Sequence, residues 1–207
     1  MSKSLNSYNG FISERFLPDR QGLILVLLGA PGSGKGTLAK KMRDKFGFQI
    51  VSTGELIRNS NDPKLKKIIE KGEFVPDDLM LDILEEAIED MDPSKGIIID
   101  GYPRTLDQAE DLDSLLGKMG LGLNHAIFLG ITTDKAKERI EKRASKENRS
   151  DDADPEVIDK RFEEFKEKTL PIAGFYQKSR KLITVDSDKS EKDVYLQVKK
   201  ALDLTTK

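Results

Sequence analysis

The apolar run Leu23-Ile-Leu-Val-Leu-Leu28 ends on Gly29-Ala-Pro-Gly-Ser-Gly-Lys-Gly-Thr37, and a helical pattern with Leu38, Ala39, Met42 and Phe46 on one face follows without a break. A buried strand, a glycine-rich turn and a helix in that order make a phosphate cradle. Gly29, Gly32, Gly34 and Gly36 let the backbone curl around Ser33 and turn several N–H groups inward. The helix adds the positive end of its dipole, and Lys35 adds a mobile charge suited to β- and γ-phosphates. A glycine-rich turn with a solvated lysine is the bland alternative, but it does not require both the strand before and the helix after. The hydroxyl that usually follows the lysine directly stands one place later, on Thr37, with Gly36 between.

The chain has 207 residues, of which 37% are apolar, enough for one sizeable core: a single α/β domain with small insertions. A net charge of −2 argues against a broad basic surface for nucleic acid, though not against phosphates held by a few focused arginines. The absence of cysteine excludes disulfides, thiolate catalysis and cysteine-ligated zinc. The run Leu23–Leu28 is far too short to span a bilayer. Residues 1–21 read as a separate extension without a secretory signal. Phe11, Ile12, Phe16 and Leu17 give it either a face that docks on the main domain or a partly ordered tail. The expectation is a cytoplasmic monomer, with an organellar address left open by that extension.

Beyond residue 22, short apolar runs alternate with longer helical patterns, the mark of a parallel sheet wrapped by helices. Strands are expected at 23–28, 49–52, 96–100, 126–131 and 182–186. Helices are expected at 35–46, 54–59, 64–71, 77–91, 106–119, 134–146, 155–178 and 191–202. In such open sheets ligands sit beyond the carboxyl ends of the strands, so the residues there matter most.

After the second strand, Thr53 and Arg58 stand in Ser52-Thr53-Gly54-Glu55-Leu56-Ile57-Arg58. Thr53 before an acidic first turn reads locally as a helix cap, and beside a phosphate loop it reads as ligand-facing. After the third strand, Asp100 stands where a carboxylate orients magnesium-bound water, or else caps the next loop. Arg104 follows the Gly101-Tyr102-Pro103 turn that sets its direction, and its planar fork suits a phosphate dianion. Gln108 lies about one helical turn on, so both side chains can face one site. Arg139 and Arg143 share a helix face, and with Arg149 and Arg161 they bracket a short polar loop after the fourth strand. A charge-laced solvated helix is the default reading of that run, and a cationic lid over phosphates is the functional one. His125, the only histidine, starts a strand and receives no catalytic role.

Taken together, Gly29–Thr37, Ser52–Arg58, Glu73-Phe-Val-Pro-Asp77, Gly101-Tyr-Pro-Arg-Thr-Leu-Asp-Gln108 and the arginine series resemble the adenylate kinases, of the short-lid type, in family order from residue 22 to 203. The resemblance implies a P-loop fold with a five-stranded parallel sheet, an AMP-binding arm near residues 52–76 and a lid near 143–153. It implies ATP + AMP ⇌ 2 ADP with magnesium, Asp100 acting on the ion through water, and no zinc-binding lid. Its ATP site corresponds to Gly32, Ser33, Gly34, Lys35, Gly36, Thr37, Arg139, Arg143 and, through the backbone, Lys189. Its AMP site corresponds to Thr53, Arg58, Glu73, Phe74, Val75, Gly101, Tyr102, Pro103, Arg104, Gln108, Arg149 and Arg161. Lys35, Arg104, Arg143, Arg149 and Arg161 are implied as catalytic, with Lys160 a rival for the last because Ala153-Asp154-Pro155 is a residue longer than usual. Glu55 stands where aspartate is usual, Ser187 replaces a frequent glycine, and the segment from Thr53 to Gly72 is shorter than in most members. Kinases for pyrimidine monophosphates tend to carry asparagines after the arginine, so Thr105 and Gln108 favour AMP. A kinase for UMP, CMP or GMP and a non-catalytic nucleotide sensor are the alternatives.

Overall fold

Strand β1 (Ile24–Gly29) is buried over its whole length, which requires cover on both faces and neighbours on both edges. The computed structural model, which describes residues 22–71, 73–147, 152 and 154–204, supplies both. β2 (Gln49–Ser52), β3 (Ile97–Asp100), β4 (His125–Gly130) and β5 (Leu182–Asp186) join β1 in an all-parallel sheet of order β2-β3-β1-β4-β5. The registers align the carboxyl ends: Leu27 and Ser52 both pair with Asp100, Gly29 with Leu129 and Gly130 with Asp186. The chain visits one side of β1 for β2 and β3 and the other for β4 and β5. The strand order therefore switches beside the phosphate loop, where open sheets leave a crevice.

Alternate residues of each strand feed opposite faces. Val26, Leu28, Ile97 and Ile99 pack with α4 (Asp77–Glu89), α5 (Leu106–Lys118) and α8 (Leu170–Lys178) through Leu84, Ile88, Leu112, Leu116 and Ile172. Leu25, Leu27, Ile98 and Ile127 pack with α1 (Lys35–Phe46) and α9 (Glu191–Ala201) through Leu38, Met42, Val194 and Val198. A third cluster joins Ala30 of the phosphate loop to Ala136 and Ile140 of α6 (Thr133–Glu147) and Phe162 of α7 (Pro155–Glu164). Short helices α2 (Thr53–Asn59) and α3 (Pro63–Glu70) follow β2.

The structure departs from the sequence reading in two places. The helix expected over 155–178 runs without interruption but is not regular: α7 passes through a π-helical turn (Phe165–Thr169) into α8. Pro171 is the reason: it has no N–H to give to a preceding carbonyl, and its ring would strike that carbonyl in a regular α-helix, so the turn before it widens. Thr53 is the first residue of α2 rather than its cap. Ser52 holds the cap position, and no side chain caps that end. Residues 1–21, Gly72 and Arg149 lie outside the described residues, as do the other residues of 148–151 and residue 153 in the segment expected to form the lid.

Candidate active site

The phosphate loop is shaped by what surrounds it. Gly32 has φ +77°, and a Cβ there would stand 2.3 Å from the carbonyl oxygen of Ala136, so only glycine fits against α6. Gly34, also left-handed, turns the chain into α1. Lys35 Nζ donates to the carbonyls of Gly29 (2.7 Å) and Ala30 (3.1 Å), folding the side chain across its own loop. Burial brings its pKa down to about 8. Asp100 pulls the other way, and Arg104, Arg161 and Arg143 add to the lowering.

The loop after β5 is tied to this cradle. Ser187 Oγ donates to the Ser33 carbonyl at 2.6 Å, and its N–H donates to the Gly130 carbonyl at 2.7 Å. Arg139 Nη2 donates to the carbonyls of Ser187 (2.9 Å) and Lys189 (3.2 Å). Between them opens a cavity of about 290 Å³ lined by Gly32–Gly34, Thr37, Arg139, Arg143, Ser187 and Glu191, among others.

Across the loop from it, the tips of β2 and β3 meet. Thr53 is fully buried there and its hydroxyl points at the Asp100 carbonyl, 3.5 Å away. Asp100 itself is partly buried beside Gly36, and desolvation raises its pKa against the pull of Lys35 and Arg104. Gly101 is left-handed (φ +94°), and a Cβ on it would come within 2.5 Å of Thr53 Oγ1. The Tyr102–Pro103 peptide that follows is cis. Arg104 is then fixed on every side. Its N–H donates to Gln108 Oε1 at 2.7 Å, its Nε to the Gly101 carbonyl at 2.8 Å, and its carbonyl accepts from Thr169 Oγ1 at 2.9 Å. Its guanidinium carbon lies 5.2 Å from the Phe74 ring centre, whose ring Lys168 also approaches. Gln108 is 2% exposed, and its Nε2 donates to Asp77 Oδ1 at 2.5 Å.

Arg143 and Arg161, on different helices, share one carboxylate. Arg143 grips Asp152 with Nε (2.6 Å) and Nη2 (2.8 Å), and Arg161 Nη1 donates to it at 2.9 Å. The Asp152 side chain has no exposed surface, so its charge is offset by this pair of guanidinium groups. Lys160 turns the other way, toward the Lys71 carbonyl (3.3 Å) and Glu73 (3.5 Å).

All of this converges on a central cavity of about 260 Å³. Its walls carry Gly32–Thr37, Arg58, Glu73, Phe74, Asp100, Gly101, Pro103, Arg104, Arg143 and Arg161. A smaller recess of about 20 Å³ adjoins it, between Phe74, Val75, Tyr102, Arg104 and Gln108. Of the residues expected at the site, Thr53 stands behind the wall of these cavities, and Lys189 contributes its carbonyl to the anchoring of the last loop through Arg139. Asp152, Ser187, Thr169 and Asp77 were not singled out as site residues from the sequence. The pair of acidic residues after Arg149 was the only signal for the first.

The residues 27–181 match the family model described as Adenylate kinase. The chain belongs to the adenylate kinase family. Relatives named adenylate kinase include those of Xanthomonas euvesicatoria pv. vesicatoria and Xanthomonas axonopodis pv. citri, each 42% identical over 86% of this chain and 98% of the relative. The Xylella fastidiosa adenylate kinase is also 42% identical, over 78% of this chain and 89% of its own length. As an adenylate kinase family member the chain is a nucleotide-binding phosphotransferase, and its five-stranded parallel sheet is the P-loop fold of that family. Among the described residues no helix is long and apolar enough to cross a membrane.

Proposed function

We propose that this protein transfers the γ-phosphoryl group of ATP reversibly to AMP, giving two ADP. The observation that carries this reading is one cavity lined from opposite sides, by the phosphate loop and by Arg58 and Arg104. ATP is assigned to the side of Arg139, Ser187 and the Lys189 carbonyl, and AMP to the side of Arg58, Phe74, Val75 and Gln108. The transfer itself belongs between Lys35, Arg104, Arg143 and Arg161.

The acceptor is a phosphate dianion near neutral pH, so no side-chain base is required. His125 begins β4 and takes no part. What remains is alignment, charge neutralisation and exclusion of water. Lys35 and the three arginines concentrate positive charge where the moving phosphoryl group spreads its negative charge. Because Asp152 orients two of the guanidinium planes in advance, little reorganisation is left for the reaction itself. The residues suit the magnesium ion that family members generally use with ATP. The Thr37 hydroxyl, and Asp100 through water, would hold that ion, which when bound neutralises phosphate charge.

Residues 52–76 act as the arm closing over AMP and 143–153 as the lid over ATP. The contacts of Lys160 with Lys71 and Glu73 join α7 to the end of that arm. The test is a coupled ADP-formation assay with ATP and a panel of AMP, UMP, CMP and GMP. AMP should dominate. Equal turnover of another monophosphate would overturn the acceptor assignment, and ATP binding without transfer would overturn the enzymatic one.

A further inference from the structure

Gln108 carries a carboxamide whose oxygen and nitrogen are nearly the same size, so shape alone does not decide which way it faces. The decision falls to its neighbours. Oε1 accepts the Arg104 N–H at 2.7 Å, and Nε2 donates to Asp77 Oδ1 at 2.5 Å. A backbone N–H can only donate and an ionised carboxylate can only accept, so both contacts demand the same orientation. Reversing the amide would set donor against donor at Arg104 and acceptor against acceptor at Asp77. The side chain is 2% exposed, so bulk solvent does not reach these contacts to repair the clashes.

We propose that Asp77 is a specificity-positioning residue, locking the Gln108 amide in the one orientation that matches adenine and rejects a 6-oxo purine. This rests on the reading that Gln108 faces the acceptor base. With one lone pair and one N–H already engaged, the amide keeps one acceptor position on Oε1 and one donor on Nε2. Adenine offers the complement, a donor at its 6-amino group and an acceptor at N1. Hypoxanthine, of the same shape, offers an acceptor at O6 and a donor at N1. An amide free to turn over would accept both, and a locked one leaves unpaired groups against the second. Asp77 lies 31 positions before Gln108, at the start of α4, so the lock also joins the segment after Val75 to the turn that holds Arg104.

The experiment measures kcat and KM with AMP and with IMP at saturating ATP, for wild type, Asp77→Asn, Asp78→Asn and Gln108→Ala. Asp77→Asn keeps the shape but can present an N–H to a reversed amide, leaving the Arg104 N–H as the one of the two contacts that still opposes reversal. The AMP/IMP ratio of kcat/KM should fall about tenfold, with the KM for ATP unmoved. Asp78→Asn removes the same charge from the same helix end, so an unchanged ratio there separates the lock from a simple helix-terminus effect. If Gln108→Ala collapses the ratio while Asp77→Asn leaves it intact, the lock is wrong and base reading by Gln108 stands. If Gln108→Ala itself leaves the ratio intact, the glutamine does not read the base and the lock falls with it. An equal loss in Asp78→Asn would overturn the proposal in favour of helix electrostatics.

Discussion

Asp152→Asn should be more harmful to the empty protein than to the nucleotide-bound one. The native carboxylate has no exposed surface and accepts N–H donors from Arg143, through Nε and Nη2, and from Arg161, through Nη1. Asparagine keeps one oxygen but brings an NH₂ against a guanidinium, and it removes the negative charge that Asp152 places between the two cations. Breaking a fully buried pair from one side costs about 3–5 kcal/mol. The arginine side chains are 28% and 21% exposed, so water screens part of that loss. Discounting for it gives about 2–3 kcal/mol, or a fall in Tm of roughly 5–10 °C for a domain near this size. Phosphate groups entering the cavity would supply the missing negative charge. Saturating ADP or a bisubstrate analogue should therefore raise the Tm of the variant more than that of the wild type, narrowing the gap by at least half. The assay is thermal melting with and without ligand, paired with kcat to confirm that the arginines have lost their orientation. A variant that melts within a degree of wild type, or a gap that ligand does not narrow, would refute Asp152 as the counter-ion that offsets these arginines in the empty site.

The remaining predictions concern the cradle and α6. Lys35 must be charged to hold polyphosphate, and its pKa in the free protein is about 8; kcat/KM for ATP should fall as pH rises through that value, about tenfold per unit beyond it, while kcat holds to higher pH because bound phosphate raises the lysine pKa. A kcat/KM profile flat to pH 9.5 would contradict this. Lys35→Ala should lower kcat by several orders of magnitude with stability changed by no more than about 1 kcal/mol. Arg143→Ala should reduce kcat roughly 10²–10⁴-fold with a much smaller change in ATP affinity, and a variant that only raises the KM for ATP would remove Arg143 from the transition state. Gly32→Ala, whose Cβ would meet the Ala136 carbonyl at 2.3 Å, should abolish ATP binding before it unfolds the domain, as seen by titration of a fluorescent ATP analogue.

Local chemistry was legible in the sequence because it depends on near neighbours. The strand Gln49–Ser52, the helix Lys35–Phe46 and the phosphate loop between strand and helix stand where periodicity and glycine placed them. Family resemblance ordered the remaining motifs. What the tertiary structure decided are meetings between segments that carry no mark of each other. Ser187 reaches Ser33 across 154 positions, Thr169 reaches Arg104 across 65, and Asp77 reaches Gln108 across 31. Each is a common polar residue whose partner is chosen by the fold. The directions taken by Lys160 and Arg161 are of the same kind. Adjacent residues on a helix point about 100° apart, so the spacing of the motif left both open. The packing of Phe162 against Ala30 and Ile140 rotates α7 so that Arg161 meets Asp152 and Lys160 turns to the Lys71 carbonyl and Glu73. A sequence states which groups are available; burial of the apolar face decides which way they point.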